Sequence, residues 1–529
     1  MTAFTLKELH RYEIGTWADM IYRNALLHSD REAFICGERR ITFSQFNRRV
    51  NSLINALRSM GLVKGDGIGI LSWNCLECTD IVGAAMKGGF IASPFNPRLR
   101  EEELLYVINY SEVKTLFVGR GLVPIIDRLR PRLPGVSRYV SLGEEADGML
   151  PYEELLAAHP PVEPEISVRE EDPFVIFYTS GTTGVPRGAV YSHRSKMENE
   201  RTKALLLGLQ PEDKHVMIMP FFHIGGWSHA WAFFPVAASN VIMTQRSYDP
   251  TATLRTLQDE RATDIHIVPT HLVGMLSLPN VESYDLRSVK RILYGASPMP
   301  VELLTKGIER FGHVFVQAYG QTETGPDITF LAKSFHSLNC KSPEEQKVLF
   351  SCGQPLPGVH VKIVDDAFNE LPSDIVGEIM VKSKSVMKGY WRISEETART
   401  VMDGWVCTGD MGYYDEKGLI YLVDRKKDMI ITGGENVYPR EVEEVLYRHQ
   451  SVLECAVIGV PDEKWVERVH ALVVLKENVE CSADEIIAFC KQHVAGYKAP
   501  RSVEFVDALP KNPQGKILKR ELKDKFRKA

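Results

Sequence analysis

The feature that most limits how this chain can fold is a repeated one: a short, unbroken apolar run that stops at a glycine or a polar turn. It occurs as GIGILSW (67–73), PFVIFYTS (173–180), KHVMIMP (214–220), DIHIVPT (264–270), RILYGAS (291–297) and VFVQAYG (314–320). A strand buried on one face alternates apolar and polar residues, whereas a strand covered by helices on both faces is apolar throughout. The pattern predicts parallel strands inside a layered α/β fold. Helical signals fall between them. Thr42 and Gln45 fit a capping box ahead of a face made by Phe43, Phe46, Val50, Leu53 and Leu57. The stretch IVGAAMKGGFIASPFN (81–96) reads as helix, glycine turn and strand. In sheets of this kind ligands gather at the carboxyl ends of the strands, so the polar residues that end each run are where chemistry is expected.

From about Gly353 the texture changes. VHVKIVD (359–365), GEIMVKS (377–383) and LIYLVDR (419–425) alternate more clearly, with turns at Asp366, Pro372 and Gly418, which predicts a β-rich subdomain. The charged DRKKD (424–428) reads as a linker or an ordinary surface turn. Beyond it Pro439 opens a helix through Val442, Val445 and Leu446, CAVIGV (455–460) is a strand, and Ser482 with Glu485 caps another helix. The last twenty residues carry eight Lys or Arg against Glu521 and Asp524, and most of them read as a solvated tail. No internal repeat or low-complexity tract interrupts this order.

Composition removes several classes. With 529 residues the chain can bury a large core without disulfides. A net charge of −6 argues against a nucleic-acid binder held by bulk charge, though not against a small anionic ligand. Nine scattered cysteines do not make a secreted disulfide framework. Cys75 and Cys78 form a lone C-x-x-C without a second pair or nearby histidines, which reads as two thiols beside a buried strand rather than a zinc site. No apolar signal segment and no membrane-spanning run is present, so a reduced, cytoplasmic compartment is expected.

The densest local signal is Tyr178-Thr-Ser-Gly-Thr-Thr-Gly-Val-Pro-Arg-Gly188, where a strand runs into three hydroxyls and two glycines within six residues. Glycines let backbone N–H groups turn toward an anion and hydroxyls add donors, which is the chemistry of a phosphate cradle. It is not a Walker A loop, because no Gly-Lys-Ser/Thr follows at the required spacing.

This loop resembles the signature of the adenylate-forming superfamily of acyl-CoA synthetases, peptide-synthetase adenylation domains and beetle luciferases. Further matches come in order along the chain: PFFHIGG (220–226), YGAS (294–297), YGQTE (319–323), WVCTGD (405–410), DRKKD (424–428) and PKNPQGK (510–516). The resemblance covers essentially the whole chain and is nearest to fatty-acid or aryl-acid CoA ligases. It implies a large N-terminal domain of mixed, mainly parallel sheets (1–424), a hinge (425–428) at which Lys427 is the pivot, and a small mobile α+β C-terminal domain (429–529). The reaction it implies joins ATP and a carboxylate into an acyl-adenylate and pyrophosphate, after which coenzyme A displaces AMP.

The resemblance also assigns residues. Thr179, Ser180, Gly181, Thr182, Thr183, Gly184 and Arg187 would grip the departing phosphates. Glu323 would hold Mg²⁺, a hard cation suited to carboxylate and phosphate oxygens, and Thr322 would hydrogen-bond the α-phosphate. Tyr319 would face adenine, with Gly295, Ala296, Ser297, Gln317 and Gly320 around the nucleotide. Asp410 would take both ribose hydroxyls, assisted by Arg425. Lys516 would bring positive charge to the reacting oxygens. Gly433 and Gly434 would line the pantetheine tunnel after the small domain rotates. His223 takes the family's aromatic position between the acid pocket and the thiol entry, inside an aromatic cluster that also reads as core.

Two departures stand out. Arg187 replaces the commoner lysine, keeping charge while exchanging a point ammonium for a planar fork. Val466, after the tryptophan of DEKWVERV, replaces a common glycine. Amino-acid adenylation is disfavoured, because no aspartate lies within Phe221–Gly226 to hold an ammonium. A carrier-protein ligase, a luciferase-like oxygenase and a catalytically silent nucleotide-binding scaffold are the other readings, the last opposed by the presence of Lys516, Glu323 and Asp410. The segments expected around the acid (220–234, 268–276, 294–300 and the stretch after Glu323) are mostly apolar and aromatic, which favours a medium- or long-chain fatty acid first and an aromatic acid second. A homodimer is compatible with the resemblance.

Overall fold

The computed structural model describes residues 9–179, 186–338, 347–462, 464–511 and 517–527. Each of these apolar runs becomes a strand. Pro173–Thr179, Ile91–Phe95, Gly67–Leu71, Val113–Gly119 and Arg138–Leu142 lie side by side and parallel in one sheet. Phe315–Tyr319, Arg291–Tyr294, Asp264–Ile267, Lys214–Met217, Ser239–Ile242 and Glu32–Cys36 do the same in a second. Antiparallel pairs close the edges, among them Pro173–Thr179 with Arg187–Ser192 and Phe315–Tyr319 with Thr329–Leu331.

Helices Trp17–Leu27, Phe43–Ser59, Leu76–Gly88 and Ile224–Ala232 share a single apolar cluster with strands of both sheets, so they form the layer between them. The capping box at Thr42 and Gln45 is made, and Phe43, Phe46, Val50, Leu53 and Leu57 are all buried. Trp227 and Trp231 pack edge-on and tilted against Trp17 and Phe234 in this layer. These two tryptophans of the aromatic cluster are therefore core, and only the start of their helix is left to face a ligand.

The β-rich subdomain is an antiparallel sheet of Val359–Val364, Gly377–Ser383, Trp405–Tyr414, Val401–Met402 and Ile420–Arg425. The last unit places Glu435–Val437, Ile430–Thr432, Val466–Leu475 and Val452–Asp462 in one sheet with Ser502–Phe505, under helices Pro439–Leu446 and Ala483–His493. The cap at Ser482 and Glu485 and the proline opening at Pro439 both form.

The basic C-terminus is a correction. It is not a solvated tail: Lys519–Arg527 is a helix whose Leu522 and Phe526 join an apolar cluster with Ile458 and Val460. Lys519, half-buried, pairs with Glu443 at 2.8 Å, and Lys511 and Lys525 pair with Glu454 and Glu504. Lysine stems cover apolar surface while their heads reach carboxylates, so charge density alone misleads. Cys75 and Cys78 are free thiols with sulfurs 3.4 Å apart at the start of a helix. Among the described residues no helix is long and apolar enough to cross a membrane.

Candidate active site

The phosphate-loop residues Ser180, Gly181, Thr182, Thr183 and Gly184 lie outside the described residues, as does Lys516. The flanks of the loop are described. Thr179 and Arg187 are paired in register across the two antiparallel strands that flank the loop in sequence. The Arg187 guanidinium pairs with Glu396 at 2.5 Å and lies over the Tyr390 ring, 5.6 Å from its centre.

Tyr390 also reaches the proposed metal carboxylate: its hydroxyl donates to Glu323 Oε1 at 2.8 Å. Glu323 sits in the short 3-10 turn Thr322–Thr324 at the end of strand Phe315–Tyr319. The carbonyl of its neighbour Thr322 accepts from the buried Tyr191 hydroxyl, which fixes that turn against strand Arg187–Ser192. Arg187, Tyr390, Glu396, Thr322 and Glu323 therefore form one group, although they come from three distant stretches of sequence.

Asp410 and Arg425 are opposite each other on neighbouring strands, with Arg425 Nε 2.5 Å from the Asp410 carboxylate. Burial opposes the charge on Arg425, but Asp410 beside it outweighs this and raises its pKa. The Tyr319 hydroxyl donates to the other Asp410 oxygen at 2.7 Å, and burial pushes that phenol far above its ordinary range. Gln321 adds a weaker bond to the same carboxylate at 3.4 Å. The carboxylate that should receive a ribose is thus oriented by three side chains.

The glycine turn after Arg291–Tyr294 is close to Tyr319. A Cβ on Gly295 would stand 2.5 Å from the Ala318 carbonyl oxygen, and one on Gly320 would overlap the Pro326 carbonyl. Only glycine lets these backbones approach so closely. Ala296 takes a left-handed φ of 62°, and the Ser297 N–H bonds the Gly295 carbonyl at 2.7 Å. Gln317 pairs in register with Tyr294 at the same sheet end. The nucleotide-side residues named from the sequence are therefore brought together.

His223 caps helix Ile224–Ala232, its Nδ1 accepting from the Gly225 N–H at 3.1 Å. The Asn74 side chain clamps the segment before it, donating to the Met219 carbonyl at 2.9 Å and accepting from the Phe221 N–H at 2.8 Å.

Gly433 and Gly434 have φ of 62° and 87° and form the two-residue turn between Ile430–Thr432 and Glu435–Val437. Two consecutive left-handed residues are what a tight hairpin of this twist requires. The Gly433 N–H bonds the Trp465 carbonyl at 2.8 Å, and a Cβ there would press on the indole. Lys427 comes after strand Ile420–Arg425; burial lowers its pKa, and its carbonyl accepts from Lys523 at 3.5 Å.

Several supporting residues were not found from the sequence. Tyr390, Glu396, Tyr191 and Asn74 carry no local signal, because their partners are distant in the chain, and Gln321, though inside YGQTE (319–323), was not singled out. Another group lies on helix His193–Leu207. Lys196 donates to the Gly325 carbonyl at 2.8 Å and pairs with Glu200 at 2.8 Å, Asn199 donates to the Asp327 carbonyl at 3.0 Å, and Lys203 pairs with the Asp327 carboxylate at 2.5 Å. Lys196, Glu200 and Lys203 are buried. The spacing of Lys196 and Glu200 was legible, but a charged helix normally reads as a solvated one.

Among the described residues no group of three or more His, Cys, Asp or Glu could hold a metal by itself. That suits magnesium, which is commonly held by one or two carboxylates together with substrate phosphates. Glu323, oriented through Oε1 by the hydroxyl of Tyr390, whose ring Arg187 overlies, has the donor chemistry for that role.

Residues 21–391 match the model of the AMP-binding enzyme family, and residues 441–516 match that of the AMP-binding enzyme C-terminal domain. A fatty acid–[acyl-carrier-protein] ligase of Streptomyces coeruleorubidus is 33% identical over 527 residues, covering 98% of each chain. A medium/long-chain-fatty-acid–CoA ligase of Mycobacterium tuberculosis is 33% identical over 524 residues, covering 94% of this chain and 88% of the other. The crystal structure of an anthranilate CoA ligase in complex with anthranoyl-AMP superposes with a TM-score of 0.89 at 27% identity, covering 99% of each chain.

Proposed function

The chain belongs to the AMP-binding enzyme family, and from that premise we propose that it is an AMP-forming acid–CoA ligase. The observation that carries the proposal is that the end of strand Phe315–Tyr319 and the turn after it meet two groups at once: Tyr319 bonds Asp410 beside Arg425, and Glu323 bonds Tyr390 beside Arg187. That arrangement can hold a nucleotide by both ends: ribose hydroxyls on the Asp410 carboxylate, adenine against Tyr319 and the Gly295 turn, and phosphates near Arg187 and Glu323.

A carboxylate is a weak nucleophile toward a phosphate that is itself anionic. The site must align the two and offset the charge that grows on the α-phosphate. In the proposal Thr322 donates to that phosphate and Arg187 exchanges Glu396 for the departing pyrophosphate. Lys516 delivers a further positive charge to the reacting oxygens. Magnesium on Glu323 supplies charge neutralisation of the phosphates. His223, held at the start of its helix, stands between the acid and the incoming thiol.

The second half-reaction uses residues 429–529 after rotation about 425–428 with Lys427 as pivot, so that the hairpin turn at Gly433 and Gly434 faces the pantetheine. The thiol sulfur attacks the acyl carbonyl carbon, the carbonyl–phosphate oxygen bond breaks, and AMP leaves. The acid is proposed to be a medium- or long-chain fatty acid, in keeping with the apolar segments around the pocket. An aryl acid is the second reading, favoured by the likeness to the anthranilate enzyme. Eight free thiols among the described residues suit a reducing, cytoplasmic compartment.

The test is pyrophosphate release from ATP and magnesium across a panel of fatty and aryl acids, with and without coenzyme A. Acid-dependent release with a CoA thioester as product is expected. Acid-dependent release without a thioester would move the acceptor to a carrier protein. No release with any acid would overturn the ligase reading.

A further inference from the structure

Beside the start of helix Ile224–Ala232 lies a row of imidazoles that the proposed mechanism does not use. The rings of His229 and His266 are 5.5 Å apart, and those of His229 and His215 are 4.6 Å apart, each pair edge to face. His215 is anchored through Nδ1 to Asn240 at 2.9 Å. The other two are not anchored: among the described residues nothing hydrogen-bonds either nitrogen of His229, nor Nδ1 of His266. All three rings are buried. Burial holds them neutral, each with a pKa below the ordinary imidazole value.

The direction in which His266 points is set by two glycines. A Cβ on Gly225 would stand 3.5 Å from His266 Cε1 and 3.2 Å from His223 Nδ1. A Cβ on Gly295 would stand 3.9 Å from His266 Nε2. The Cε1–Nε2 edge of His266 therefore faces Gly225 and Gly295, with His223 on one side and the nucleotide turn on the other. The ligase reading puts the carboxylic acid beside these residues, and any inference about the acid's own groups rests on that reading.

A buried polar group without a partner costs about 1–3 kcal/mol, and the great majority of such groups in folded proteins are satisfied. A pocket shaped for a plain hydrocarbon chain would carry Leu, Phe or Val at these positions. We propose that the acid carries, a few bonds from its carboxylate, an uncharged hydroxyl or carbonyl group that hydrogen-bonds His266, with His229 behind it as the next member of the row. A neutral imidazole offers one donor and one acceptor, so it can serve either group. A second carboxylate is disfavoured, because it would face neutral rings, and the nearest cation, Lys203, is already paired with Asp327 at 2.5 Å. The hydroxyl can belong to an aryl ring or to a fatty chain, and the test separates the two.

The experiment compares kcat/KM for acid-dependent pyrophosphate release within matched pairs: ortho-hydroxyphenylpropanoate against phenylpropanoate, and 3-hydroxydecanoate against decanoate. The hydroxylated member of one pair is expected to win by about tenfold or more, the scale for a site left with an unpaired buried group by the wrong substrate. The pair that shows the preference identifies aryl or fatty acid. In His266→Phe the ratio should fall to about unity or invert, and His266→Gln, which keeps a donor and an acceptor, should retain part of it. A lost fold would lower both members together, whereas a changed ratio reports on recognition. Equal rates within both pairs, or preference for the deoxy members in the unaltered protein, would overturn this inference and leave the ligase reading intact. No release with any of the four acids would count against the ligase reading and remove the inference with it.

Discussion

At the scale of single residues, Val466 is the clearest case of a local rule broken. Its φ of 71° lies in the left-handed region, which costs an L residue about 1–2 kcal/mol and is worst for a β-branched one. Val466→Gly should relieve that strain, and after the larger entropy of an unfolded glycine a gain of about 1 kcal/mol should remain. The urea midpoint measures it, and a lower midpoint for the glycine variant would refute the strain account. The sequence showed that a common glycine was missing here; only the dihedral shows why it is common. Lys516 carries the opposite kind of prediction, about chemistry rather than backbone. Lys516→Ala should slow adenylation by about a hundredfold or more while thioester formation from supplied acyl-adenylate is nearly spared. Equal losses in both half-reactions would remove the role assigned to it. Positions inside motifs, such as Glu323 and Asp410, could be named from the sequence because the motif fixes their neighbours. Tyr390, Glu396 and Asn74 could not, since each acts on a residue tens to hundreds of positions away.

At the scale of elements, helix His193–Leu207 is more than a spacer. Its Lys196 and Glu200 are fully buried, and Lys196 holds the carbonyl of Gly325 two residues after Glu323. Glu200→Ala would leave Lys196 and Lys203 without that carboxylate in a dry environment, and breaking a buried pair in this way costs about 3–5 kcal/mol. Thermal unfolding should show the loss, and a Tm within a degree of the parent would mean that the network is not structural. The elements were largely legible: strands buried on both faces announced themselves as apolar runs, and two capping boxes and a proline opening formed as read. The C-terminal helix was not, because a basic amphipathic segment and a solvated tail share a composition. What separates them is whether Glu443, Glu454 and Glu504 are waiting, and that is a tertiary fact.

At the scale of the whole molecule, the buried histidines make stability depend on pH. Burial lowers His193 to about 3 and His215, His271 and His336 to about 4. Each folded value lies below the ordinary 6.5, so the unfolded chain binds more protons as soon as the pH drops under 6.5. The stability they contribute is present above that pH and is lost as it falls toward 4. The urea midpoint should therefore decline between pH 7 and pH 5, and a flat or rising midpoint would contradict the burial of these rings. The layered architecture and the order of the motifs were readable from one chain. The row of buried histidines was not, because His215, His229 and His266 meet only when strand and helix pack.

The central claim is that one carboxylic acid is activated as an adenylate before it meets a thiol. The most direct measurement is a single turnover with ATP labelled at the α-phosphate, an accepted acid and magnesium, quenched before and after adding coenzyme A. Label should appear in an acyl-adenylate while coenzyme A is absent and move to AMP as the thioester forms. Label recovered in ADP, or a thioester formed without any labelled adenylate, would contradict it.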